Sequence, residues 1–266
     1  MQSRKGVGAV IKVASIQLQI ADGESKKDRV ARVERIIDGL GEVDLIVLPE
    51  IWNVGYFSFE AYEDESETLD GETSSRMAAK AQMKGAYLLA GSIVEKAKDG
   101  LYNTSALFDR KGQLVATYRK IHLFGYGSAE TRVLRPGREV VVANTELGNL
   151  GLSTCYDLRF PELYRQMIDK GAELFLVASA WPYPRLEHWK TLNVVRAFEN
   201  ESFLISSNCV GVTRGKQFLG HSAIVDPWGT VIASGGDFEC VLKAEIDREM
   251  VGRVRAEFPP LRDRVL

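Results

Sequence analysis

Two stretches of this chain carry the same residues at the same spacing, and that repeat constrains its fold more than any other feature. Ala106-x-x-Asp109-x-x-Gly112-x-x-x-Ala116 matches Ala223-x-x-Asp226-x-x-Gly229-x-x-x-Ala233 position for position. The first copy reads as a β-hairpin joining 104–109 to 114–119 around Lys111-Gly112; the second turns at Pro227-Trp228-Gly229. Aspartate and glycine recur in unrelated turns because they tolerate turn backbone angles. The order of elements before each hairpin argues for more than coincidence. Ahead of the first lie an alternating strand (10–19), a helix (26–40), a short apolar strand (44–49), a helix (73–84) and a buried strand (87–94). In that first helix Val30, Val33, Ile36, Ile37 and Leu40 share a face, with Gly41 as the expected stop. Ahead of the second come strand 150–155, helix 161–170 with Pro161 in its first turn, strand 174–179, helix 187–199 and strand 203–210. Two related halves follow. Two facing sheets with helices outside, an α/β four-layer α-β-β-α sandwich, satisfy this pattern. No linker or low-complexity stretch divides the halves, so the expectation is one domain over 1–266. A short helix at 248–258 and Pro259-Pro260 lead into a charged tail, about 258–266, either frayed or docked on a partner subunit.

Composition excludes several function classes. Thirty-four basic against 36 acidic residues leave a net charge of -2, without the basic surplus that nucleic-acid binding needs. No run approaches the roughly 18 apolar residues that span a bilayer, so no membrane partner is expected. Arg4 and Lys5 precede an apolar stretch in the manner of a leader, but Lys12 interrupts it and 11–20 alternates like a strand. Targeting is therefore rejected. Three widely spaced cysteines, Cys155, Cys209 and Cys240, suit a reducing compartment better than a disulfide framework, and a cytoplasmic location is expected.

Cys155 stands where a strand runs into a polar turn and then a helix, the placement a nucleophile needs. The alternative is a buried core thiol. A histidine base would come from His122, His188 or His221; of these, His221 reads as a strand start and His188, beside Trp189, as a helix–sheet packing residue. No histidine or cysteine pair has metal-ligand spacing, and no metal or cofactor is expected. Glu50 ends the apolar run Leu45-Ile46-Val47-Leu48-Pro49, and Lys120 sits between a strand and an apolar loop. Taken singly, Glu50 reads better as a solvated loop acid and Lys120 as a surface lysine at a strand end.

Together they do not. Pro49-Glu50, then Arg119-Lys120-Ile121-His122-Leu123-Phe124, then Cys155-Tyr156-Asp157-Leu158-Arg159-Phe160-Pro161-Glu162 occur in this order. The chain resembles the nitrilase (carbon–nitrogen hydrolase) superfamily, with its glutamate–lysine–cysteine triad, over nearly its whole length. The segment Ser179-Ala180-Trp181-Pro182, through His188-Trp189, to Arg196-Ala197-Phe198-Glu199-Asn200 is similar to the family as well. The resemblance implies that Glu50, Lys120 and Cys155 are catalytic, with Glu130 as the family's second glutamate. Cys155 would attack an amide carbonyl and form a thioester. Glu50 would carry protons, and Lys120 with the amide N–H of Tyr156 would hold the oxyanion.

The motif around Cys155 looks like the branch of ω-amidases and deaminated-glutathione amidases, and Ala180-Trp181-Pro182-x-Pro184-Arg185-x-x-His188-Trp189 is similar to bacterial ω-amidases. That implies a small-molecule carboxamide substrate, including ω-amides of 2-oxo dicarboxylates. A nitrilase or an N-carbamoyl amino acid hydrolase using the same triad is the alternative, and a non-catalytic scaffold is disfavoured by the intact triad. Trp181 is expected to line the site, and Arg185 to offer a fork to a substrate carboxylate. Arg159 reads as structural, pairing within its own turn. Tyr56 and Phe57 read as packing residues near Glu50. The resemblance also implies a homodimer or larger homo-oligomer.

Overall fold

The structure, a computed structural model, describes residues 10–265. Arg4, Lys5 and Leu266, on which the rejection of a leader and the end of the tail rest, lie outside them. Two sheets face each other. The eight-stranded sheet has Val10–Gln19, Leu45–Val47, Tyr87–Ala97, Gly100–Phe108 and Leu114–Arg119 as consecutive neighbours. Cys240–Asp247 and Cys209–Thr213 pair with Val10–Gln19 on its other side. The six-stranded sheet runs Val231–Ser234, Ala223–Val225, Phe203–Ser207, Leu174–Ala178, Gly148–Thr154, Val142–Thr145.

Strand alternation explains the four layers. In Leu174–Ala178, Leu174, Leu176 and Ala178 enter the core between the sheets, where Leu45, Val47 and Leu89 meet them. Phe175 and Val177 point the other way, onto Leu163, Tyr164 and Met167 of helix Pro161–Asp169 and Trp189 and Ala197 of helix Leu186–Phe198. On the far side, Ile46 and Leu88 meet Val30, Val33 and Ile37 of helix Lys26–Asp38 and Met77 and Ala81 of helix Glu72–Lys84. Strands buried on both faces read as continuous apolar runs, as these do.

The repeated hairpins share their hydrogen bonds. Asp109 Oδ1 accepts the amides of Lys111 and Gln113, and Asp226 Oδ1 accepts those of Trp228 and Thr230. Each hairpin breaks register at the equivalent step, between Leu107 and Phe108 and between Ile224 and Val225.

Four expectations are corrected. Helix Lys26–Asp38 stops at Gly39, whose N–H donates to Arg35, and Leu40 packs outside the helix. The expected strand 203–210 is two strands in different sheets: Ser207 pairs with Ala178, while Cys209 pairs with Leu18. Asn208 makes the crossing, its side chain accepting the Trp181 amide and donating to Gly220 O. The third correction is His221, which precedes its strand in a left-handed conformation, φ 51°. His188 is exposed, and Trp189 alone packs inward. Near its end the tail lies on its own chain, where Arg264 donates to Asp169 at 2.5 Å.

Candidate active site

Three strand ends converge at one edge of the interface between the sheets. Glu50 follows Leu45–Val47, and its loop lies unusually close to the next strand. A Cβ on Gly91 would stand 1.9 Å from the Pro49 carbonyl oxygen, and Gly91 has φ +66°, so only glycine serves there. Ser92 then ties the loop down, its N–H donating to Pro49 O and its Oγ accepting the Ile51 amide. Lys120 follows Leu114–Arg119, its N–H donating to Asn103 O at 2.9 Å and its carbonyl accepting the Gly137 amide at 2.8 Å. Cys155 follows Gly148–Thr154 with φ 50°, a left-handed conformation that non-glycine residues adopt under constraint. Asp157 supplies the constraint. Its carboxylate accepts the Thr154 amide (2.9 Å), the Tyr118 hydroxyl (2.7 Å) and the His122 amide (3.0 Å), so the cysteine turn is fastened to the segment that follows Lys120.

Glu50, Lys120 and Glu130 are wholly buried, and each is paired. Lys120 Nζ donates to Glu50 Oε1 at 2.8 Å and to Glu130 Oε1 and Oε2 at 2.9 and 3.0 Å. An ammonium has three protons, and these contacts engage all of them. Asn103 Nδ2 bridges the two carboxylates, 2.7 Å from Glu50 and 3.1 Å from Glu130. Glu130 also accepts the Tyr56 hydroxyl at 3.1 Å and the Phe124 amide at 2.6 Å. The sheets meet at Glu50: its N–H donates to Ser179 O (3.3 Å), and its Oε2 accepts the Ala180 amide (2.9 Å).

The charge balance follows from this packing. Burial pushes the Glu50 carboxyl above the ordinary carboxylate range, against the pull of Lys120. Burial alone would lower Lys120, but Glu130 and Glu50 hold it well above the usual lysine value, a fixed cation. Burial and the neighbouring Glu50 raise the Cys155 thiol, while Lys120, the Ala180 amide and the Ser179 hydroxyl favour its anion. The resting cysteine is therefore a thiol beside a basic carboxylate.

Tyr56, Phe124, Tyr156, Arg159, Ala180, Trp181, Pro182 and Arg185 wall the space over Cys155. The free cavity is about 10 Å³, room for roughly one water, so a substrate enters only as the wall side chains shift. Trp181 and Arg185 stand in this wall with Tyr156. Two readings change. Arg159 does not pair within its turn: its guanidinium lies 4.7 Å from the Trp181 ring centroid and 3.1 Å from His188 Nδ1. Tyr56 is no mere packing residue, since its hydroxyl reaches Glu130, whereas Phe57 stacks on Phe218 in the core. Asn103, Asp157 and Ser179 were not singled out from sequence, and nothing in their local pattern marks them. Among the described residues no group of three or more His, Cys, Asp or Glu side chains is placed to hold a metal ion. None of the three histidines reaches the triad; His122 pairs with Asp157 through Nδ1 at 2.7 Å.

Comparison with known proteins gives a consistent picture. Residues 12–256 match the carbon–nitrogen hydrolase family. A 2-oxoglutaramate amidase of Paenarthrobacter nicotinovorans is 40% identical over 260 residues, 95% of this chain and 88% of that protein. A 2-oxoglutaramate amidase of Bacillus subtilis is 35% identical over 253 residues, 94% of this chain and 96% of that one. Among solved structures, a carbon–nitrogen hydrolase superfamily protein of Xanthomonas campestris with an arsenic adduct in its active site superposes with a TM-score of 0.90. It is 29% identical, covering 97% of this chain and 98% of that one.

Proposed function

The chain belongs to the carbon–nitrogen hydrolase family and is an amide-hydrolysing enzyme, and on that premise we propose that Glu50, Lys120, Cys155 and Glu130 cleave the ω-amide of a short 2-oxo dicarboxylic acid through a cysteine thioester. Glu50 takes the Cys155 proton, and the sulfur attacks the amide carbonyl. Burial raises the Glu50 carboxyl, which suits it to accept and return a proton. The oxyanion is met by the Tyr156 amide, within the 3-10 helix Cys155–Arg159, and by the Lys120 proton that Glu50 releases once it is neutralised by the thiol proton. Losing one such donor costs about 3 kcal/mol in the barrier. Glu50 then protonates departing ammonia. It next deprotonates a water that Glu130 helps to orient, and this water opens the thioester to the carboxylate. No residue in the sequence of steps needs a cofactor.

The observation that carries the substrate class is a pair of arginines without a carboxylate. Arg159 and Arg185 both wall the space over Cys155, and neither has an acidic partner among the described residues. Burial and the like charge of Arg185 push the Arg159 guanidinium below its ordinary value. A substrate carboxylate relieves that repulsion and fits the guanidinium fork. The two relatives at 40% and 35% identity bear the name 2-oxoglutaramate amidase, a substrate of this chemistry.

Ammonia release from 2-oxoglutaramate is the test. Cys155→Ala abolishes it; activity surviving that change sinks the mechanism. Arg159→Leu with Arg185→Leu lowers kcat/KM for carboxylate-bearing amides by about 100-fold and for neutral aliphatic amides by less than about threefold. Equal losses overturn the substrate class. Nitrile turnover, or carbon dioxide release from N-carbamoyl amino acids, would favour the nitrilase or carbamoylase reading.

The same proposal includes a cytoplasmic homodimer. Three free cysteines suit a reducing compartment, and no helix among the described residues is long and apolar enough to cross a membrane. Phe198, Trp228 and Phe258 are exposed, with the last two rings 6.4 Å apart, which is apolar surface a second copy can cover. Light scattering at several concentrations checks the stoichiometry.

A further inference from the structure

Resting on this reading of Cys155 as nucleophile, we infer that the Ser179 hydroxyl is a donor reserved for the Cys155 sulfur as it becomes anionic. The sheet register brings the two side by side. Thr154 and Ala178 are partners in parallel strands, so Cys155 and Ser179 are the next residue of each. Ser179 is wholly buried, its backbone is fully engaged (N–H to Ser207 O, carbonyl to the Glu50 amide), and its Oγ has no hydrogen-bond partner. A buried hydroxyl left unpaired is destabilising, and natural interiors rarely keep one. Here the missing acceptor appears during the reaction.

While Cys155 is a thiol, the competing donors are held by the two acids. The Ala180 amide is bonded to Glu50 Oε2, and all three Lys120 protons are shared between Glu50 and Glu130. The other titratable and charged groups around the sulfur are Tyr56, Cys209 and Arg159. Tyr56 donates to Glu130, and Cys209 lies behind Glu50 with its thiol toward the Glu50 carbonyl. Arg159 stacks on Trp181. When Glu50 takes the thiol proton, no covalent bond changes besides S–H and O–H. Ser179 turns its O–H onto the new thiolate, and the same donor receives the sulfur again when the thioester is opened.

Removing the hydroxyl therefore raises stability and lowers reactivity together, which a structural serine would not do. In Ser179→Ala the pH midpoint for iodoacetamide alkylation of Cys155, followed on its own peptide by mass spectrometry, moves up by about one pH unit. Below the midpoint kcat/KM falls about threefold, because a tenfold loss of thiolate is half offset by a more nucleophilic sulfur. The melting temperature rises, since an unpaired hydroxyl is replaced by a methyl. Ser179→Thr, which keeps a hydroxyl, returns the midpoint to the wild-type value. A midpoint unchanged in Ser179→Ala, while Cys155→Ala is inactive, overturns this inference and leaves the proposed function standing. Ammonia release surviving Cys155→Ala overturns both.

Discussion

Replacing Lys120 by methionine removes one charge from a site that holds three, and the consequence can be worked from the contacts. Lys120 is the counter-ion for two buried carboxylates, Glu50 at 2.8 Å and Glu130 at 2.9 Å. Methionine keeps most of the apolar stem and leaves both acids facing each other across Asn103. Breaking a buried ion set from one side costs about 3–5 kcal/mol. For a chain of this length that corresponds to a fall of about 6–10 °C in melting temperature. The loss depends on pH. Burial and the charge of Glu130 already raise the Glu50 carboxyl against the pull of Lys120, and without the lysine that pull is gone and Glu50 holds its proton further above the ordinary carboxylate range. Between the unfolded and the raised folded value the native state binds more protons than the unfolded chain, so stability falls as pH rises through that window. Melting curves of Lys120→Met and wild type across pH ~5 to ~8 should therefore diverge toward high pH and converge toward low pH. Activity, which needs the cation itself, stays at least about 100-fold down throughout. A melting deficit that is the same at every pH refutes the counter-ion argument.

Other perturbations probe single contacts. Tyr56→Phe removes a donor to Glu130, so kcat drops about tenfold with KM little changed; a change confined to KM would speak for a wall residue alone. Gly91→Ala forces a Cβ against Pro49 O at a left-handed φ and lowers stability by about 2–5 kcal/mol, measured by thermal melting. An unaltered melt contradicts the close approach that sets Glu50. Asp157→Asn places an amide NH₂ against donors and slows both ammonia release and Cys155 alkylation, with about 2 kcal/mol lost in stability; unchanged alkylation removes Asp157 from the positioning of the nucleophile turn.

Most of the element order was legible because apolar periodicity is a local signal, but strands Val142–Thr145, Lys216–Leu219 and Cys240–Asp247 were not read from it. Strands such as Leu174–Ala178 are buried on both faces, and helix Pro161–Asp169 begins at a proline suited to its first turn. Periodicity could not divide 203–210, since both strands are apolar and only their partners, in different sheets, distinguish them. Glu50 is legible as a charge at the end of an apolar run, and Lys120 as one between a strand and an apolar loop. Asn103 sits inside a strand like any buried polar residue, and its bridging role exists only because Glu50 and Glu130 arrive from elsewhere. Arg159 was misjudged for a related reason. Its local sequence offers Asp157 as a partner, but Tyr118, Thr154 and His122 occupy that carboxylate, which leaves the guanidinium free to turn to Trp181.

The duplicated architecture is not matched by duplicated chemistry, and the division of labour has a physical logic. Every charged group paired at the centre, Glu50, Lys120 and Glu130, comes before the second repeat begins, with Asn103 and Tyr56 to satisfy them. A buried cation between two carboxylates is tolerable only when each partner is in place, so one half supplies all three charges, and across the seam Glu50 receives only a neutral donor, the Ala180 amide. The second half contributes groups that are neutral at rest: the Cys155 thiol, the Ala180 amide and the Ser179 hydroxyl. The seam is thus where a neutral nucleophile meets a prearranged field, and the negative charge passes from Glu50 to the sulfur only when Glu50 takes its proton. Reaction, rather than folding, is the step at which the sulfur's charge must be stabilised.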